Sequence, residues 1–392
     1  MFGIGRSIKA GIRAFKEYHE KKKIIKNYIK IFVEQQKIQD SYELSGIKNA
    51  KKIVVFIIPP ENCVYGGMMS FFSLCSNSRK VLDGKAEVLL ATCMCKYYDT
   101  VVTYAYNDKF PNDEKIYRFE QIAKYAENVS ELIIHLPEIY ISNFLNWSTN
   151  EELNFIKKVK HLQINILLQN IDLMPDINEI KRLFKFTKNI TVTTAHQRYA
   201  TQQISNMLNA PLKHISVDLD ISKYKKIKFE NKEKIIVFSP DNHKDKIVVQ
   251  RFIETYLPKY RIITVENMKF DEYMELITKA MFVITFGEAF DGYFIQPYGV
   301  GTLGLSVYND RFFPDKTFKQ MKTVYSSYLD LAVNIEKDIR FWENHKNEYI
   351  KYAEEMKNKF DNLYRKTDVE ENLIKFYNNE YDFLPCNNGE NL

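Results

Sequence analysis

Glycine and proline are scarce in this chain, with 13 and 11 among 392 residues. Turns are therefore punctuated at few positions, and each glycine-containing loop is informative. Cysteine is scarce too. Five thiols, an odd number without framework spacing, exclude a disulfide-built scaffold and predict reduced cysteines in a cytoplasmic setting. Cys93 and Cys95 form C-x-C with no second ligand pair nearby, so no structural zinc is expected. No apolar run approaches the ~18 residues of a membrane-spanning helix. The first residues lack the uninterrupted apolar core of a secretory signal. The Gly66-Gly67 loop in PENCVYGGMMSFF (60–72) is not a G-x-G-x-x-G dinucleotide fingerprint, and no internal repeat of 20–50 residues is found.

What is present is a soluble globular composition, 45% hydrophobic and 27% charged, at a length that suits two domains. Aromatics reach 14%, nearly all of them Tyr and Phe. The net charge of +6 is unevenly placed. Residues 1–30 hold nine Lys/Arg against two Glu, a net of +7, which leaves the remainder at −1. A nucleic-acid-binding enzyme usually spreads basic residues over its working surface, so no nucleic-acid partner is expected. Phe2, Ile4, Ile8, Ile12 and Phe15 fall at helical spacing with Arg6, Lys9, Arg13 and Lys16 between them. That pattern predicts a basic amphipathic helix, suited either to an anionic membrane face or to packing on the protein.

From Lys52 the pattern becomes α/β. Residues 53–59, 86–92, 101–106, 132–136, 164–169 and 190–194 read as strands, mostly separated by helical segments. A second α/β series begins near Glu233, with strands at 234–240, 260–266 and 281–286 and helices at 246–256 and 270–280. A helical tail is expected at about 335–378. Four segments follow: a helical extension at 1–48, α/β domains at 49–220 and 221–335, and helices crossing back at 336–392.

The densest motif is ITFGEAFDGYFIQPYGVGTLGLSVYN at 284–309. A buried strand turns on a glycine, presents Glu288, passes Asp291-Gly292, and reaches Gln296 eight residues after the acid. Loop amides leading into a helix can hold a diphosphate. Glu288 can accept hydrogen bonds, and Gln296 can both donate and accept them.

This stretch resembles the donor-binding E-x7-E signature of retaining GT-B glycosyltransferases of the family-4 type, with Gln296 in place of the second acid. The resemblance implies two Rossmann-like α/β domains facing a central cleft. It implies a nucleotide-sugar donor, a glycan or lipid-linked acceptor in bacterial capsule, lipopolysaccharide or other envelope polysaccharide synthesis, and retention without a metal. Asp218-Leu219-Asp220 fits the family's interdomain segment better than a metal-binding loop. Glu288 is then expected to act on the departing sugar, with Asp172 and His196 as further catalytic candidates. Gly66, Gly67, Lys244, Lys246, Gly292, Tyr293, Phe294 and Gln296 are expected on the donor side. Gln169, Asn170 and His135, which precedes Glu138 in HLPE, are expected on the acceptor side. The diphosphate-gripping Arg usual for the family is missing from FSPDNHKDK (238–246). Two alternatives stay open. One is a degenerate GT-B binding protein; the other is a GT-B-like epimerase or polymer-phosphate transferase.

Overall fold

The computed structural model describes residues 20–23, 26–27, 30, 33–34, 36–59, 66–92, 95–97, 101–103, 114–217, 221–266, 268–364 and 366–386. The expected basic helix at 2–16 and the Asp218–Asp220 segment lie outside them.

Apolar runs become strands wherever both sheet faces are covered. In β1 (Lys52–Ile58), Ile53, Val55 and Ile57 enter one core cluster, and Val54, Phe56 and Ile58 enter another. The same alternation splits Ile236 and Phe238 from Ile235 and Val237 in β10 (Glu233–Phe238). The remaining strands of the first domain are β2 (Glu87–Thr92), β3 (Cys95–Tyr97), β4 (Val101–Thr103), β5 (Ile116–Arg118), β6 (Glu131–Pro137), β7 (His161–Leu168), β8 (Ile190–Thr194) and β9 (Leu212–His214). The second domain adds β11 (Arg261–Thr264), β12 (Ala280–Ile284), β13 (Leu303–Val307) and β14 (Val324–Tyr325).

Seven strands pair in the order β5-β2-β1-β6-β7-β8-β9, and five in the order β11-β10-β12-β13-β14, all parallel. Of the sheet strand expected at 101–106, residues 101–103 instead form β4 in an antiparallel hairpin with β3, and 104–106 lie outside the described residues. Strand order reverses beside β1 and beside β10, and ligands of open parallel sheets bind at such switch points.

Helices Tyr328–Asn344 and Lys346–Leu363 stay on the second domain, burying Leu331, Ile335, Trp342, Tyr349 and Phe360. Among the described residues, the helix Lys366–Tyr377 crosses back, followed by Phe383, which bridges to Leu212 of β9. Val369, Leu373 and Phe376 of that helix pack with the helix Gly66–Val81 in the first domain. The high aromatic content also has a place. Phe290, Phe294, Tyr298, Phe313 and Phe360 form a ring cluster beneath the 287–291 loop, with centroids 5.1–6.1 Å apart. Among the described residues no helix is long and apolar enough to cross a membrane.

Candidate active site

The carboxyl ends of β1, β6, β7 and β8 face those of β10, β11 and β12 across one cleft of about 780 Å³. Its second-domain wall is the loop between β12 and the helix Gly292–Gly299. Asp291 caps that helix, its Oδ1 accepting from the Phe294 amide at 3.1 Å and its Oδ2 from Thr285 Oγ1 at 3.0 Å. Ala289 holds a left-handed φ of 69°, unusual for a residue with a Cβ. Its carbonyl is pinned by Ser306 Oγ at 2.6 Å. Tyr328 donates to the Phe286 carbonyl at 2.9 Å. Ser239 Oγ accepts from the Phe286 amide at 3.0 Å and donates to Asp241 at 2.5 Å. Gly287 leaves room for Asp241, whose Oδ1 a Cβ here would meet at 2.6 Å.

The first-domain wall is built from loops after β6, β7 and β8. Glu138 is 4% exposed, and its Oε1 accepts from the amides of Gln169 at 3.2 Å and Asn170 at 3.0 Å. Gln169 in turn donates to the Gly67 carbonyl at 3.2 Å. Asn170 reaches over the cleft and donates to Glu288 Oε1. Farther out, Asp172 pairs with Arg311, and Arg198 donates to the carbonyls of Asp310 and Phe313. Two buried polar atoms on lining residues have no hydrogen-bond partner: Glu138 Oε2 on the first-domain wall and Tyr273 Oη on the second.

The lining is predominantly acidic. Glu138, Asp241, Glu266, Glu288, Asp291 and Asp361 line the cleft, against Lys357 alone among lysines and arginines of the described lining. Burial pushes the Glu138 and Asp291 carboxyls up to about 7, and the neighbouring Asp241 charge adds to the shift at Asp291. Burial raises Glu288 as well, opposed by the Asn170 hydrogen bond. Carboxyls held partly protonated reduce repulsion toward an anionic ligand. Among the described residues, no group of three or more His, Cys, Asp or Glu side chains is placed to hold a metal ion.

The cleft gathers Glu288, His196, Gly66, Gly67, Gln169, Asn170, Gly292, Tyr293 and Gln296. His196 sits edge-on to Tyr199 with centroids 5.6 Å apart, and burial lowers its ring to about 4, so it is neutral at pH 7. Five expectations fall elsewhere. His135 is a core residue, 3% exposed, stacked on Phe56 at 4.1 Å and hydrogen-bonded to Asn165 at 2.9 Å, because its position in β6 points into the sheet interior. Phe294 turns into the aromatic cluster, on the buried face of its helix. Lys246 donates to the carbonyls of Ser239 at 2.6 Å and Asp241 at 3.3 Å, bracing the loop from behind. Lys244 is exposed and outside the lining. Asp172 is exposed and engaged by Arg311. Glu138, Asp241, Tyr273 and Lys357 were not assigned from the sequence. The first two follow strands that were legible, so the strand-end rule could have found them. Tyr273 and Lys357 lie within helices and carry no local signal.

No family model matches the chain, and no curated protein matches it. Solved structures do. A glycosyltransferase from Rickettsia africae ESF-5 aligns with a TM-score of 0.52 at 12% identity, over 84% of this chain and 98% of that one. Sucrose-phosphate synthase from Thermosynechococcus elongatus aligns at 0.51 and 11%, with the same coverage. An α-glucosyltransferase in complex with UDP and a 13-mer DNA containing a central A:G mismatch aligns at 0.52 and 11%, over 80% and 95%. The chain has the GT-B fold. One expectation is overturned here. Nucleic acid had been set aside as a partner, yet a protein of this fold is seen bound to DNA, so the placement of basic residues does not exclude it.

Proposed function

We propose that the protein is a glycosyltransferase that takes a nucleotide sugar against the second-domain wall and an acceptor against the first. The observation that carries this reading is the single cleft at both switch points, with an unpartnered buried polar atom on each wall. The amides at the start of the helix Gly292–Gly299, with Lys357, hold the diphosphate. Glu288, which accepts from Asn170 of the opposite wall, faces the sugar. Gln296, 9% exposed, and Tyr293 complete the donor side. The family-4 resemblance makes transfer with retention and without a metal the expected course. It also makes an envelope glycan or lipid-linked acceptor, met at the cytoplasmic membrane face through residues 1–30, the first choice. A polynucleotide acceptor is the second reading, favoured by the DNA-bound α-glucosyltransferase.

The test is a thermal-shift panel of UDP-, GDP-, CMP- and dTDP-sugars, followed by assay of nucleotide release with glycan, lipid-linked and duplex-DNA acceptors. Stabilisation by one nucleotide class with turnover is expected. Stabilisation without turnover would make this a binding protein, and no stabilisation by any of the four would remove the donor assignment.

A further inference from the structure

Strand order sets the direction in which a nucleotide lies on the second-domain wall. In the proposed function the diphosphate meets the amides that follow β12. β10 lies beside β12, and β11 lies beside β10. The turns after β10 and β11 supply Pro240, Asp241, Val265, Glu266 and Met268 to the cleft, whereas the described lining takes nothing from the turn after β13. A nucleotide therefore runs from β12 toward β11. Neighbouring strands stand about 4.8 Å apart, so the turn after β11 lies about 10 Å along the sheet edge from the turn after β12. The ribose is passed over β10, and the base reaches the turn after β11. That turn offers an apolar surface. Val265 and Phe270 are buried and Met268 is half-buried, in one cluster with Tyr273 and Tyr293. Beside them Glu266 is exposed on the lining, where a ligand can reach it.

Resting on the proposed transferase reading, we propose that the donor is a guanosine diphosphate sugar and that Glu266 selects its base. A carboxylate only accepts hydrogen bonds, and it can take two parallel donors at once. Guanine presents such a pair, N1–H beside the 2-amino group. Uracil and thymine present one N–H between two carbonyl oxygens, which a carboxylate repels. Cytosine and adenine each set an amino group beside a ring nitrogen that is itself an acceptor. Glu266 is placed for the base and not for the ribose. In dinucleotide-binding sheets the acid that takes ribose hydroxyls follows the strand next to the phosphate-binding turn. Here β10 is that strand, and Glu266 follows β11, one strand farther out.

The test is titration calorimetry of the full chain with GDP, IDP, UDP, dTDP, ADP and CDP, repeated on Glu266→Gln. IDP keeps N1–H and lacks the 2-amino group, so it removes one bond of the pair. GDP should bind at least about tenfold tighter than UDP, dTDP, ADP or CDP, with IDP in between. In Glu266→Gln one acceptor becomes a donor, so the preference for GDP over UDP should shrink roughly tenfold or more. The melting temperature should not change, because the side chain is exposed. Tighter binding of any other nucleotide overturns the inference and leaves the transferase reading standing. So does IDP binding as tightly as GDP, or a variant that keeps the wild-type preference. An equal loss of GDP and UDP in the variant overturns it as well, since Glu266 then holds the ribose. If none of the six binds, the donor reading falls, and this inference with it.

Discussion

The two walls of the cleft are held in different ways. The second-domain wall is a strained loop tied down by Ser306, Thr285, Ser239 and Tyr328 and seated on stacked aromatic rings. The first-domain wall depends largely on one carboxyl, Glu138, gathering the amides of the neighbouring loop. Behind it the sheet carries a polar seam. Asn165 donates to His135 and to Thr193, each at 2.9 Å, and accepts from Thr191 at 3.0 Å. A tied loop is preorganised for a constant ligand such as a diphosphate. A wall resting on a single group can vary its loops without disturbing the sheet, which suits an acceptor side.

The largest effect should come from Glu288→Ala, with transfer reduced at least ~10²-fold by loss of the group proposed to face the reacting sugar, while nucleotide binding survives. Near-normal turnover would erase the proposed contrast between the walls. Next is Gly304→Ala. A Cβ there meets the Phe294 carbonyl at 2.3 Å, so the capped helix must lift off β13. Denaturation should show a loss of about 1–3 kcal/mol, with nucleotide affinity falling alongside. His135→Leu tests the other wall. It strands Asn165 in the seam, so stability should drop by roughly 1–3 kcal/mol. Turnover per folded molecule should not change, and a selective loss of activity would return His135 to the site.

A smaller, signed effect concerns pH. The Asp291 carboxyl is raised in the folded protein, so its contribution to stability is fully present below the ordinary aspartate range and is lost as pH rises through about 7. Asp291→Asn keeps a good helix cap. It should flatten the fall in melting temperature between about pH 4 and 8, and an unchanged profile would clear Asp291 of it. The smallest effect should come from Arg311→Ala. The Arg311–Asp172 pair is exposed on both sides, so stability should change by no more than about 1 kcal/mol.

Much of the architecture was legible along the chain. The runs IVVFII and KIIVF, each apolar on both faces, called for buried parallel strands, and helices at 246–256 and 270–279 stand where periodicity put them. Short elements were less legible. β5 has three residues, too few to show a period, and residues 101–103 pair in a hairpin that pattern alone cannot separate from a sheet strand.

The sequence by itself determined which longer segments form sheets and helices, because burial period is written into successive residues. It also brought Glu288, Asn170 and Gln169 to strand ends, where the topology of parallel sheets collects ligand-facing groups. Only the tertiary structure decided which side of its element each polar residue occupies. His135 and Glu138 lie three residues apart, yet one is stacked in the core and the other lines the cleft. Lys246 faces backbone carbonyls rather than open solvent, and Lys357 arrives at the cleft from a helix more than a hundred residues later. The physical reason is that a side chain's neighbours come mostly from other elements. Hydrogen-bond partners, exposure and acidity are properties of the assembled walls, and no single stretch of chain contains them.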